Sequence, residues 1–391
     1  AVGSFSFETA QPYALIKRLL RQAGGILRDD SQQGIGQKVA LLLDDLGPER
    51  RPQAERAIWT LFGLRNSPAE SQLRGEAFER ELFRGMYGLL QNWAGAKPTV
   101  IVFEDLHWTD SGSVELIKHV LTLSEVVPLL MICIFRPYTQ SAGWTVKQHA
   151  ESKLPHRYQE IKLQPLEVTA ISDLVGSLLN VADLPQEVGA IIADKTGGVP
   201  YFIEEIVRDL VEKSILIPAE SGQAWQAAAE LDTVHIPDSL EMVLVSRMDR
   251  LEPETRRILQ LASVIGRTFY FSVLKMIAGT GNQLNQHLRH LQRAGMIREF
   301  ARFPESQYSF RHVLAQEAAY NTILIRQRRH FHRQVGEAIE EIFADRLVDQ
   351  ASLLAHHFGQ AGDDERVLPY TILAAENAAR LYANEDAIAY Y

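Results

Sequence analysis

A parallel α/β sheet domain leading into a long all-helical region is the fold class this sequence predicts, and three observations carry it. The run Thr99-Val100-Ile101-Val102-Phe103 is apolar and rich in β-branched residues, and it stops abruptly on Glu104 and Asp105. It reads as a buried parallel strand with polar residues at its carboxyl end. A second all-apolar run, Leu129–Phe135, follows after one helical segment, and two such strands joined by a helix make a right-handed βαβ unit. From Pro165 onward the spacing is helical almost throughout, broken by two short β-like pieces at Met296–Phe300 and Gln307–Phe310.

Bulk properties narrow the class. A chain of 391 residues predicts two to four domains, and 46% hydrophobic with 23% charged residues is ordinary for soluble globular protein. No apolar run reaches membrane-spanning length, and the opening AVGSFSFETAQPY has neither a basic leader nor an initiator Met. The sequence therefore reads as starting inside a larger protein. A single cysteine, Cys133, allows no internal disulfide and fits a reducing, cytoplasmic setting. The net charge of −9 conceals an asymmetry: residues 236–333 hold 15 Lys and Arg against 8 Asp and Glu, a surplus of seven that leaves −16 on the rest. That block suits anion or nucleic-acid contact, or a solvated face against an acidic neighbour.

Taken in order, Val2–Phe7 predicts a short strand and Pro12-Tyr13 opens a helix through Leu15, Ile16, Leu19 and Leu20. Helices continue to Trp93, with a loop around Arg65–Pro68. Ser111–Leu123 is a helix with Asp110 or Ser111 as its cap, and Tyr158–Leu163 reads as a third strand. The run from Asp194 to Glu205 is a helix end, a Gly197-Gly198 turn and a new helix with Pro200 in its first turn. Between Ile236 and Phe310, helices at Leu240–Arg250, Pro253–Val264 and Gln283–Ala294 precede the two β-like pieces. Three helices closed by a small hairpin make a winged-helix module. Everything after Arg311 is helical, and Ala374–Tyr391 reads as a stacked helix pair that runs out mid-repeat, so the C-terminus also reads as a cut.

The chemistry concentrates at the end of the first strand. A strand-end acid pair commonly holds a hydrated Mg²⁺ beside a nucleotide phosphate, and in nucleoside triphosphatases this is the Walker B element. A solvated acidic turn is the alternative. Arg136, ending the second strand, should emerge on the same sheet edge as Glu104 and Asp105, where it would read a γ-phosphate or pair with one of the acids. Gly34-Ile35-Gly36-Gln37-Lys38-Val39 looks loosely like a phosphate loop but lacks the Gly-Lys-Ser/Thr ending and a preceding strand; G-x-x-x-x-G-K-[ST] occurs nowhere in the chain.

The order of the motifs resembles the STAND class of signalling P-loop ATPases within the AAA+ group, and specifically the Orc1-like ATPase segment that follows catalytic domains in bacterial adenylate/guanylate cyclases and occurs in large transcriptional regulators. The matching text is Pro12-Tyr13, Phe103–Asp110, Phe135-Arg136-Pro137, Thr196–Glu205, Ile236–Leu240, Ser246–Leu251, Ala262–Phe269 and Phe310–Tyr320. This resemblance implies a partial P-loop NTPase sheet (1–164), a helical lid (165–235), a winged helix (236–311) and a helical segment leading into TPR-like repeats (312–391). It implies ATP and Mg²⁺ as ligands, Glu104 on the metal shell, Asp105 as the second acid that polarises water, Arg136 as a sensor arginine and Pro200 packing on the adenine. His312 lies near where related proteins touch the β-phosphate with a histidine; a core or surface histidine is the alternative.

Two departures matter. The acid order is Glu-Asp, where many hydrolytic relatives have Asp-Glu, which favours slow hydrolysis or a nucleotide-held switch. The phosphate loop that should precede Val2 is missing from the sequence, so this stretch alone should bind nucleotide weakly or not at all. The strand carrying that loop would lie between the Arg136 strand and Tyr158–Leu163, leaving two apolar edges unpaired. The function expected is a regulatory ATPase module switching an attached output domain such as a cyclase, with protein partners on the helical repeats. A DNA-binding regulator using the basic winged helix, and an interaction scaffold with a degenerate site, are the rival readings.

Overall fold

The structure, a computed structural model, describes residues 1–4, 11–27, 30–64, 75–180, 186–218, 225–227, 237–279, 281–301 and 306–391. The predicted loop at Arg65–Pro68, the end of the predicted strand Val2–Phe7 and Ile236 lie outside those residues. The elements, in chain order, are β1 (Val2–Gly3), α1 (Ala14–Gly24), α2 (Gln32–Leu42), α3 (Arg51–Leu61), α4 (Gly75–Ala96), β2 (Thr99–Glu104), α5 (Ser111–Val120), β3 (Leu129–Cys133), α6 (Ala142–Lys153), α7 (Val168–Leu179), α8 (Gln186–Thr196) and α9 (Pro200–Glu212). They continue with β4 (Leu216–Pro218), β5 (Trp225–Ala227), α10 (Leu240–Asp249), α11 (Pro253–Ile265), β6 (Thr268–Tyr270), α12 (Phe271–Ala278), α13 (Leu284–Arg293), β7 (Ile297–Ala301), β8 (Gln307–Phe310), α14 (Val313–Asn321), α15 (Ile325–Ile342), α16 (Leu347–Ala361), α17 (Asp364–Arg380) and α18 (Asn384–Tyr390). Two compact units result: Ala1–Gln159 with Arg328–Tyr391, and Glu160–Arg302 with Ser306–Gln327.

In the first unit a parallel sheet of order β1-β2-β3 carries the apolar runs read from the sequence. Its buried face is supplied by Ile101, Phe103 and Leu129, which join one core with Leu116, Ile117 and Val120 of α5 and with Leu82, Met86 and Leu89 of α4. Among the described residues of the unit, the other face is largely uncovered. Val100 is 59% exposed, and its register partner Leu130 56%, with Ile132 and Ile134 beside them. An all-apolar strand normally means cover on both faces, so here the sequence carries more hydrophobicity than this unit buries.

The predicted strand Tyr158–Leu163 does not form: the segment is irregular, and Ile161 and Leu163 are 77% and 90% exposed. A strand needs a neighbouring ladder, and among the described residues the sheet ends at β3, whose outer edge faces no strand. The glycine-rich stretch 34–39 lies inside α2, with Lys38 paired to Asp30 at 2.6 Å, so it is helix rather than phosphate loop.

In the second unit α7, α8 and α9 share a core of Ile171, Val175, Ile192, Ile203 and Ile206. Gly197 and Gly198, with φ of 55° and 76°, turn the chain between α8 and α9. A Cβ on Gly198 would stand 2.4 Å from the Leu166 carbonyl oxygen, so both the conformation and the contact require glycine. Arg247 of α10 is buried against Glu205 of α9 and reaches Glu212 at 3.1 Å and the Ala294 carbonyl at 2.6 Å, while Arg250 bonds Asp209. These two arginines clamp α10 to α9. The segment from α11 to β8 then runs helix, strand, helix, helix, strand, strand, with β6, β8 and β7 in one antiparallel sheet. Neither β6 nor α12 is among the elements the sequence predicts. In the remaining helices, the carboxyl part of α15 with α16 to α18 belongs to the first unit, where Leu381 enters the same core as the sheet.

Candidate functional site

Parallel strands send their carboxyl ends to one edge, and the register fixes what arrives there. Gly3 lies opposite Glu104, the Ser4 amide donates to the Glu104 carbonyl at 3.0 Å, and the Ile134 amide donates to the Phe103 carbonyl at 2.8 Å. The Leu106 amide then donates back to Ile134 at 3.0 Å, so Glu104, Asp105 and Arg136 leave the sheet at the same edge. Glu104 is exposed, and among the described residues its carboxylate accepts no hydrogen bond. Asp105 is half-buried, in the left-handed region at φ 54°, where Asp is tolerated better than most residues, and it leads into a single 3₁₀ turn. Arg136 makes no ion pair among the described residues; its guanidinium reaches only the Tyr138 hydroxyl at 3.5 Å.

A carboxylate of this kind, solvent-facing and unengaged beside a second acid, offers the hard oxygen donors that suit Mg²⁺. The shallow depression at the amino ends of β2 and β3, lined by Pro98, Val100, Glu125, Leu130 and Arg157, is at the opposite end of the strands and has one carboxylate rather than a pair.

What holds the acid pair still is a residue read from the sequence only as a cap. Asp110 is 1% exposed and accepts from the Ser113 amide at 2.8 Å and the Ser113 hydroxyl at 2.7 Å, which caps α5. The same carboxylate accepts from the Tyr13 amide at 2.7 Å and the Ala14 amide at 3.1 Å, which caps α1. Two helix N-termini, 97 residues apart in sequence, thus converge on one side chain. The Tyr13 ring lies under Gly112, where a Cβ would come within 2.9 Å of it, and Ser4 and Thr109 share a buried 2.6 Å hydrogen bond beside it. Burial pushes the Asp110 carboxyl up to about 6, against the pull of its bonds to Ser113 and Tyr13. Asp386 of α18, reached by the Ser111 hydroxyl at 3.2 Å, is pushed up to about 7 by burial and by the charge of Asp110.

The other two candidates sit in the second unit. Pro200 is exposed at the first position of α9. His312 caps α14, its Nδ1 accepting from the Leu314 amide at 3.2 Å, and its ring stacks on Tyr201 with centroids 4.0 Å apart and planes 14° from parallel. Pro200 and His312 are therefore linked through Tyr201, which lies inside the Thr196–Glu205 motif but had no role assigned to it from sequence. With Nδ1 accepting, the neutral His312 ring carries its proton on Nε2.

Residues 168–224 match a domain family of unknown function. An uncharacterized protein of Rhizobium meliloti is 26% identical over 342 residues, covering 84% of this chain and 31% of that protein. A peroxide stress-activated histidine kinase, mak3, of Schizosaccharomyces pombe is 21% identical over 351 residues, covering 85% of this chain and 14% of the kinase. The chain thus spans about a third or less of the length of these relatives. Among the described residues no helix is long and apolar enough to cross a membrane. Residues 7–132, which include Glu104, Asp105 and Asp110, match the AAA ATPase domain, and this match supports an AAA+ P-loop ATPase family and nucleotide binding.

Proposed function

We propose that the chain is the regulatory ATPase module of a multidomain, cytoplasmic signalling protein of the STAND class, in which ATP with Mg²⁺ acts as a conformational switch for an attached output domain such as a cyclase. The observation that carries this reading is the exposed, unengaged Glu104 beside Asp105 at the carboxyl edge of a parallel sheet, with Arg136 on the same edge. Glu104 and Asp105 would hold the metal, and the metal would neutralise the β- and γ-phosphates. Arg136 would meet the terminal phosphate. The helix, strand, helix, helix, strand, strand order from α11 to β8 supports the winged-helix assignment of 236–311. The helical run from α14 onward supports a TPR-like repeat region in 312–391, a surface suited to protein partners.

Calorimetric titration of the 391-residue chain with ATP tests this. Without a Gly-Lys-Ser/Thr loop to bind the phosphates, the expected affinity is weak, in the range of a few hundred micromolar or about −5 kcal/mol, and dependent on Mg²⁺. Glu104→Gln should weaken it at least fivefold. Binding that is indifferent to Mg²⁺ and to both Glu104→Gln and Asp105→Asn refutes the assignment, as does no binding both by this chain and by one extended upstream.

One observation favours the DNA-binding reading. Arg289 and Arg293 of α13 and Arg298 of β7 are exposed and form no ion pair among the described residues, whereas Arg247, Arg250, Arg256 and Arg257 are paired with acids. Three phosphate contacts would give duplex binding with a logarithmic salt slope of about −3.

A further inference from the structure

Away from the acid edge, the first unit contains a cluster with no part in the reading above. His332 on α15 and His356 and His357 on α16 face one another, and one ring nitrogen from each lies within 4.8 Å of the others. Their ring centroids form a near-regular triangle with sides of 5.1, 5.3 and 5.8 Å. Three imidazoles bound tetrahedrally to one cation at about 2.0–2.1 Å would have centroids about 5.2 Å apart. The Nδ1 atoms of His332 and His357 are already 2.9 Å apart, close to the roughly 3.4 Å that two ligand nitrogens span across a tetrahedral zinc. His332 and His357 are each 1% exposed, and the His357 Nε2 is buried with no hydrogen-bond partner.

We propose that His332, His356 and His357 form a binding site for a zinc-class divalent cation, which joins α15 to α16 and keeps its fourth position open to solvent on the side of the exposed His356. Three imidazoles without a thiolate or carboxylate select borderline cations such as Zn²⁺, Co²⁺ or Ni²⁺ over Mg²⁺ or Ca²⁺. Burial lowers all three histidines, His332 to about 3, so at neutral pH the rings are uncharged and a metal displaces no proton from the cluster. The opposing charge is Arg328, one turn before His332 on α15, which also lowers His332 and would weaken a bound cation. In the metal-free state one nitrogen of the facing Nδ1 pair donates to the other; the cation replaces that single shared proton, which moves to an outer ring nitrogen.

The test uses the full chain, stripped with EDTA and dialysed, titrated with ZnCl₂ by calorimetry and with CoCl₂ by visible absorption. One equivalent of Zn²⁺, the intense visible bands of four-coordinate Co²⁺ and a rise in melting temperature are the expected results. His356→Ala removes an exposed ligand without opening the core, so it should keep the helical circular dichroism yet weaken Zn²⁺ binding at least about tenfold. His330→Ala, an exposed histidine on the same α15, should leave binding unchanged. No bound equivalent, or equal affinity in wild type and His356→Ala, overturns the site, as does a loss in His330→Ala matching that in His356→Ala.

Discussion

Replacing Asp110 by alanine tests the claim that one carboxylate organises the ground under the acid pair. The substitution removes four accepted hydrogen bonds: Tyr13 and Ala14 amides at the start of α1, and the Ser113 amide and hydroxyl at the start of α5. Loss of an N-cap costs about 0.5–2 kcal/mol, and here two helices lose theirs at a site 1% exposed, where water cannot take the carboxylate's place. Tyr13 also sits at φ 55°, a conformation that costs a non-glycine residue about 1–2 kcal/mol and is held by its bond to Asp110. The expected destabilisation is about 2–5 kcal/mol. Urea unfolding followed by tryptophan fluorescence reads the right unit, because Trp59, Trp93, Trp108 and Trp144 lie in it and only Trp225 in the other. Asp110→Asn, which retains one acceptor oxygen and no charge, should lose less than Asp110→Ala. A shift below about 0.5 kcal/mol for the alanine variant, within the range of ordinary surface substitutions, would refute the double-cap argument.

Asp386 supplies a pH dependence of definite sign. Its folded value of about 7 lies above the ordinary 3.8, so the protonated native form contributes stability in full below pH 3.8 and that contribution is lost as pH rises towards 7. Stability of the first unit should therefore fall by about 2–4 kcal/mol from pH 5 to pH 8, and Asp386→Asn should flatten that slope and melt higher than wild type at pH 8. In the second unit, Arg247→Ala strands the buried Glu205 carboxylate, which desolvation already raises. That unit's transition by circular dichroism should drop by about 3–5 kcal/mol, with part of the loss recovered in Arg247→Ala/Glu205→Gln; equal unfolding of the single and double variants would sink the clamp.

Local signals survived the passage from sequence to structure, and distant ones did not. The strand at Thr99–Glu104, its helix and its parallel partner are written in contiguous runs of one residue class, so period and length sufficed. Pro200 at the head of α9 and the Gly197-Gly198 turn are likewise local chemistry. Tyr158–Leu163 failed because β propensity says nothing about whether an edge is available to pair with. β6 failed in the opposite sense: Thr268–Tyr270 is a strand because β8 lies beside it, from Gln307 to Ser309. The α5 cap on Asp110 is local and legible, but its α1 cap joins residues 97 apart, the Tyr201–His312 stack residues 111 apart and the histidine triangle two helices 24 to 25 residues apart, and no window along the chain contains them.

The cap and the acid pair belong to one argument. Glu104 and Asp105 end β2, and Asp110 begins α5 only five residues after Asp105, with a 3₁₀ turn at Leu106–Trp108 filling the interval. The Leu106 amide is tied to β3, Thr109 to Ser4, and Asp110 to α1, so the short connection is fixed at both ends and its middle has no slack. Backbone rigidity of that kind is what a metal-holding pair needs, since carboxylates on a mobile loop would give up in ordering entropy what the metal returns. It also explains why the buried carboxylate is tolerated so close to two further acids. The amide donors of α1 and α5 stabilise the negative charge of Asp110, while the exposed Glu104 carboxylate accepts no hydrogen bond among the described residues and is left for a cation.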